Sequence, residues 1–149
     1  MSNVRIEMKT KTAQFTLSSG SEIEGQVYLS LYSINRSGSQ QIDELLNEGD
    51  QFFPVKSNEG FVLLNRDHVM LVRAKFIEEE HVLRMMGEKH SVVITTLNQN
   101  SIEADVFVDL PRGYQRMKDY LNQPGQFLTL FQPEQVLYIN RNYILYITD

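Results

Sequence analysis

The amino-acid sequence predicts a mainly β protein made of two tandem five-stranded antiparallel barrels, each with a short inserted helix. Three observations lead there. One half of the chain repeats the other, each copy holds about five short β-branched or aromatic runs separated by turn formers, and a two-turn helical pattern interrupts each copy. Short, evenly spaced strands favour a small barrel, because closure removes the edges that an open sheet exposes.

The repeat sets the register of everything else. Glu22-Ile23-Glu24-Gly25-Gln26-Val27-Tyr28 reappears 79 residues later as Ser101-Ile102-Glu103-Ala104-Asp105-Val106-Phe107. Leu46-Asn47, Gln51-Phe52, Glu59 and Asn65-Arg66 reappear 75 residues later as Leu121-Asn122, Gln126-Phe127, Glu134 and Asn140-Arg141. The change of offset places a four-residue insertion in the first copy, within Ser33 to Gln41, whose Ser and Gly content marks a surface loop. When residues 13–31 and 43–74 are aligned with 92–110 and 118–149, 12 of 51 positions are identical. Apolar positions correspond as well: Val62, Leu64, Val69 and Val72 match Leu137, Ile139, Ile144 and Ile147. Duplication accounts for both better than coincident strand patterning does. The chain therefore divides into a first repeat at 1–74, a linker at 75–90 and a second repeat at 91–149.

Each element follows from local chemistry. In the second copy Val92 to Thr96 and Ile102 to Leu110 are β-rich runs joined by the turn formers Asn98-Gln99-Asn100, which reads as a hairpin. The first copy has Ser18-Ser19-Gly20-Ser21 at that turn, followed by a strand whose Gly25 marks a bulge or tight bend. Ile42 to Asn47 and Met117 to Asn122 have helical spacing and are stopped by Gly49 and by Pro124-Gly125. Three further strands follow in each copy: Phe52 to Val55, Phe61 to Leu64 and Val69 to Arg73, then Phe127 to Phe131, Val136 to Ile139 and Tyr143 to Thr148. The linker, with Glu78-Glu79-Glu80 and the apolar Val82, Leu83, Met85 and Met86, admits either a helix or a continuing strand. Its three glutamates read as a solvated face.

Composition narrows the function classes. The chain has no cysteine, which removes disulfides, thiol nucleophiles and thiolate metal sites. Charges at Arg5, Glu7, Lys9 and Lys11 break up the apolar core that a signal peptide needs, and no segment approaches a membrane span. The expected setting is cytoplasmic, with no membrane partner. A net charge of -5 disfavours unaided attraction to phosphate backbones. His68, His81 and His90 lack metal-ligand spacing, and no cofactor is expected. Glu24 and Glu103 recur but lie in separate copies on strands, as solvent-facing charges do. No phosphate-binding glycine loop or nucleophile motif is present, so no enzymatic activity is expected.

Gly20-Ser21-Glu22-Ile23-Glu24-Gly25-Gln26-Val27, Asp43-Glu44-Leu45-Leu46-Asn47 and Gly60 to Val72 together resemble the motifs of the Sm-like fold, the bent-sheet barrel of Sm and Hfq proteins. The pattern is also similar to that of uncharacterised bacterial Sm-like proteins. It covers most of residues 13–74 and, through the duplication, 91–149. The chain departs from the family at its Arg-Gly turn, which here is Asn65-Arg66 and Asn140-Arg141, at Ala104, and at Lys118.

The resemblance implies an interaction or assembly module whose last strands pair edge to edge, three or four chains closing a ring. It also implies an alternative, binding of RNA or single-stranded nucleic acid, in which an asparagine and an arginine grip and stack a base. The nearest counterparts of those residues are Asn47, Asn65, Arg66, Asn122, Asn140 and Arg141. A plainer reading gives the asparagines a turn conformation and leaves the arginines solvated. Tyr138, Tyr143 and Tyr146 form a further candidate contact surface.

Overall fold

The computed structural model describes residues 8–33, 38–113 and 115–149. The first seven residues, the middle of the Ser33 to Gln41 loop and Tyr114 lie outside that set. The first copy contributes β1 (Met8–Leu17), β2 (Glu22–Ser30), α1 (Ile42–Glu48), β3 (Phe52–Ser57), β4 (Gly60–Asn65) and β5 (Val69–Lys75). The second contributes β6 (Glu88–Thr96), β7 (Ser101–Val108), α2 (Met117–Leu121), β8 (Phe127–Gln132), β9 (Gln135–Asn140) and β10 (Ile144–Thr148).

The pairing registers carry the same two offsets as the sequence. Ala13 lies opposite Gly25 and Val92 opposite Ala104; Val55 lies opposite Val62 and Leu130 opposite Leu137. Even an irregularity is repeated: the β1·β5 register shifts between Thr16 and Leu17, and the β6·β10 register shifts at the matching Thr95 and Thr96.

The ten strands form one open sheet in the order β10-β6-β7-β8-β9-β5-β1-β2-β3-β4, all pairs antiparallel. The two expected barrels do not stand apart in this sheet: β5 pairs with β9 of the other copy and not with its own β4. A strand edge is satisfied by whichever partner geometry brings alongside, and the chain supplies that partner itself.

Of the 75–90 linker, Lys75 belongs to β5 and the last three residues open β6, while residues 76–87 form neither an α-helix nor a strand. The linker makes two short 3₁₀ turns, Glu78–Glu80 and Arg84–Met86, because long-range contacts hold it. His81 stacks on Phe76 with ring centroids 5.8 Å apart and meets the Phe131 ring edge-on at 5.2 Å. Glu80 pairs with Lys11, and with Lys9 at 3.6 Å, while Arg84 reaches Asp43 at 2.5 Å. Glu78 and Glu79 are solvated as read; Glu80 is largely covered.

Two cores share the sheet. One gathers Phe15, Val27, Leu29, Leu46, Phe53 and Val72 with Phe127, Phe131, Val136 and Tyr138 from the second copy. The other gathers Ile94, Val106, Leu130, Leu137 and Ile139 with Leu71 from the first. Each copy thus supplies side chains to the other's interior.

Gly25 shows why one copy keeps a glycine where the other has Ala104. A Cβ at Gly25 would lie 2.6 Å from the Lys56 carbonyl oxygen and 2.6 Å from Val55 Cγ1. Beside it β2 and β3 pair over three residues, whereas β7 and β8 pair only at Asp105 and Phe131, which leaves space for the alanine methyl. Gly25 is therefore a site of close backbone approach.

Two outcomes are expected. Gly25→Ala destabilises the fold by about 1–3 kcal/mol, an overpacking cost, in chemical denaturation. The second concerns His81, whose ring nitrogens are buried without hydrogen-bond partners. Burial, assisted by nearby Arg84, lowers its pKa to about 4. The folded state thus binds that proton less readily than the unfolded one, so stability is full above about pH 6.5 and falls between there and pH 4. Denaturation midpoints measured across that window show the loss in the native protein and a flatter profile in His81→Phe.

Candidate functional site

The six asparagine and arginine positions singled out in the sequence have their polar groups turned inward or along the chain. Asn65 and Asn140 each precede a 3₁₀ turn, Arg66–His68 and Arg141–Tyr143. Their side-chain oxygens accept from Asp67 N at 3.1 Å and Asn142 N at 3.0 Å. With φ at -79° and -71°, neither adopts the left-handed conformation expected of a turn asparagine; the side chain makes the turn. The arginines are also engaged. Arg66 donates to the Gly49 carbonyl at 2.7 Å, and Arg141 donates to the carbonyls of Leu121 at 2.8 Å and Gln123 at 2.6 Å. Each guanidinium thus ties a turn to the carbonyl end of the preceding helix, where positive charge is favourable.

Asn47 and Asn140 meet at the joint between the copies. There Leu71, Val72, Arg73, Ala74 and Lys75 pair with Ile139, Tyr138, Leu137, Val136 and Gln135. Asn140, fully buried, donates to the Val69 carbonyl at 3.0 Å. At the end of α1, the Asn47 side chain accepts from Gln126 N at 2.9 Å and Phe127 N at 2.8 Å and donates to the Phe127 carbonyl at 3.3 Å. Tyr143 Oη donates to the Asp67 carbonyl at 3.2 Å, and Gln126 Nε2 donates to Asp67 Oδ1 at 3.1 Å. Asn122, the counterpart of Asn47, is exposed and, among the described residues, donates only to the Lys118 carbonyl of its own helix, at 2.7 Å.

One face of β3 and β4 carries residues that sequence reasoning missed. Phe127, Val136 and Tyr138 on the outer face of β8 and β9 are buried in the first copy's core. Their counterparts 75 residues earlier, Phe52, Phe61 and Leu63, are 53%, 66% and 69% exposed. At the other end Tyr146, counterpart of the buried Leu71, is 55% exposed. Of the three tyrosines noted in the sequence, Tyr138 and Tyr143 belong to the joint and Tyr146 to this outer edge. A signal was available: Phe61 to Leu64 is apolar at successive positions, the pattern of a strand covered on both faces.

The remaining candidates are ordinary surface or structural groups. Glu24 and Glu103 are exposed on separate strands. His68 Nδ1 lies 3.4 Å from Ser18 Oγ, and His90 Nε2 lies 3.0 Å from the Gln115 carbonyl. Among the described residues no group of three or more His, Asp or Glu side chains is placed to hold a metal ion. A cleft of about 840 Å³ beside the joint is lined by Thr16, Arg73, Thr96, Leu97 and Tyr143 among others. Arg73 there donates to Thr16 Oγ1 at 3.4 Å. Burial raises the Tyr120 phenol above its usual range, and hydrogen bonding to Arg116 lowers the Asp119 carboxyl. No helix among the described residues is long and apolar enough to cross a membrane.

Asn47→Ala removes three hydrogen bonds across the joint and is expected to destabilise the chain by about 1–3 kcal/mol in chemical denaturation. Asn122→Ala is expected to change the isolated chain by less than about 1 kcal/mol, since only a helix-end bond is lost. No family model matches the chain, and no curated protein or solved structure matches it.

Proposed function

We propose that this chain is a non-catalytic, Sm-like assembly module whose free β4 and β10 edges pair between copies. The observation that carries this reading is the contrast between two equivalent faces. The outer face of β8 and β9 is buried within the chain, while the matching face of β3 and β4 leaves Phe52, Phe61 and Leu63 in solvent. Fully covering a phenylalanine or leucine contributes about 1.5–3 kcal/mol, so the bare face favours a partner that completes it. Among the described residues both outer strands also present unpaired backbone groups at the ends of the sheet.

Because β4 differs from β10, the contact is head to tail, and it repeats into a closed ring or an open filament according to the rotation at each joint. Three or four chains closing a ring would give about 52 or 69 kDa, three or four times 17.3 kDa. The inward bonding of Asn47, Asn65, Arg66, Asn140 and Arg141, together with the net charge of -5, leaves the nucleic-acid alternative without a comparable observation.

Size-exclusion chromatography with light scattering is expected to show species above 17.3 kDa. Leu63→Glu, at an exposed position in the single chain, is expected to return the folded monomer, because assembly would bury an unpaired charge. A native protein that stays monomeric at all concentrations refutes the proposal. Saturable binding of short oligo-U at tens of micromolar, lost in Arg66→Ala, would favour the alternative.

A further inference from the structure

We infer that the joint inside the chain is the template for the joint between chains, with Asn122 as the latch that sets its register. This rests on the assembly reading above and adds the seat, the register and the residue that selects them. The partner is a second copy of this chain.

The inner joint has three parts. β5 pairs with β9, Leu71 from β5 enters the neighbouring core, and the amide of Asn47 grips the backbone at Gln126 and Phe127. Each part has a counterpart 75 residues away, now at the ends of the sheet. Adding 75 to the β5 residues and subtracting 75 from the β9 residues sets Tyr146 opposite Leu64, Ile147 opposite Leu63 and Thr148 opposite Val62. Tyr146, in the place of Leu71, then enters the first core of the next chain, beside Leu64. Phe52, Phe61 and Leu63 occupy the positions of Phe127, Val136 and Tyr138, and become covered as those are.

The polar groups follow the same rule. Asn122 takes the place of Asn47, and Gln51 and Phe52 take the places of Gln126 and Phe127. Among the described residues no side chain accepts from the backbone amides of Gln51 or Phe52, whereas the matching backbone amides of Gln126 and Phe127 both bond to Asn47. Asn65 likewise takes the place of Asn140, so its amide donates to the Ile144 carbonyl of the neighbour, as Asn140 donates to Val69. These bonds select one register, because a one-residue slip would turn every apolar side chain to the wrong face. The two joints differ in side chains, with Lys56 in the place of the buried Phe131, and also in the loop beside the latch. The inner loop has Gly125, where a Cβ would lie 3.4 Å from Asn47 Oδ1, and the outer loop has Asp50. The outer joint is therefore the looser one.

The chain contains no cysteine, so introduced pairs report the register directly. Leu63→Cys combined with Ile147→Cys is expected to oxidise into a ladder of chain multimers on denaturing, non-reducing gels. Each single variant, and the pair Leu63→Cys with Thr148→Cys, shifted by one residue, is expected to give far less. Asn122→Ala is expected to raise the concentration for half-assembly about tenfold or more, the loss of hydrogen bonds worth about 1.4 kcal/mol, with the circular dichroism spectrum unchanged. If multimers form but the shifted pair crosslinks instead, or Asn122→Ala assembles as the native chain does, the template inference fails while assembly stands. If the native chain shows no multimers at all, both fail.

Discussion

β5 would be an exposed sheet edge if each copy folded alone, with a row of unpaired amides and carbonyls ready to accept another strand. In this protein β9 of the second copy fills that place over five residue pairs. Much of the architecture depends on that contact. It merges two five-stranded arrays into one sheet and lets Phe127, Phe131, Val136 and Tyr138 enter the first core while Leu71 enters the second. It also brings Asn47, Asn140 and Tyr143 to bonds that span more than seventy residues of sequence. Two small cores, each marginal alone, are stabilised by this exchange of side chains.

The linker serves the same contact. After β5 the chain makes two 3₁₀ turns, and from the stretch between them His81 packs against both Phe76 and Phe131, one ring from each side of the joint. Lys11 with Glu80, and Arg84 with Asp43, fasten that segment to β1 and to the start of α1. A neutral histidine packed among rings without hydrogen-bond partners fits an apolar seat and makes that seat sensitive to protonation.

Duplication followed by local divergence leaves a readable asymmetry. Gly20 and Gln99 occupy the same turn position with φ of 89° and 64°, so the second copy accepts there a conformation that glycine adopts more easily. Gly25 and Ala104 differ where the neighbouring strand pairs over three residues in the first copy and at one in the second. The largest asymmetry lies at the ends of the sheet. Equivalent faces are covered in one copy and bare in the other, because a linear pair of units has one internal joint and two free edges.

By itself the sequence determined the repeat, its offsets of 79 and 75, the hairpins, the two short helices and the strand runs, because these depend on local spacing, turn chemistry and side-chain type. It also marked Asn65-Arg66 and Asn140-Arg141 as paired turns, though not what the side chains do there. Only the tertiary structure decided that the arginines bond helix-end carbonyls, that Asn47 grips the other copy, and that the linker forms 3₁₀ turns against buried rings. It likewise decided that β5 joins β9, so that the strands of both copies form one open sheet. The physical reason is range. Strand and turn preferences act within a few residues, whereas the partner of an edge depends on how whole units are oriented, which no local pattern encodes.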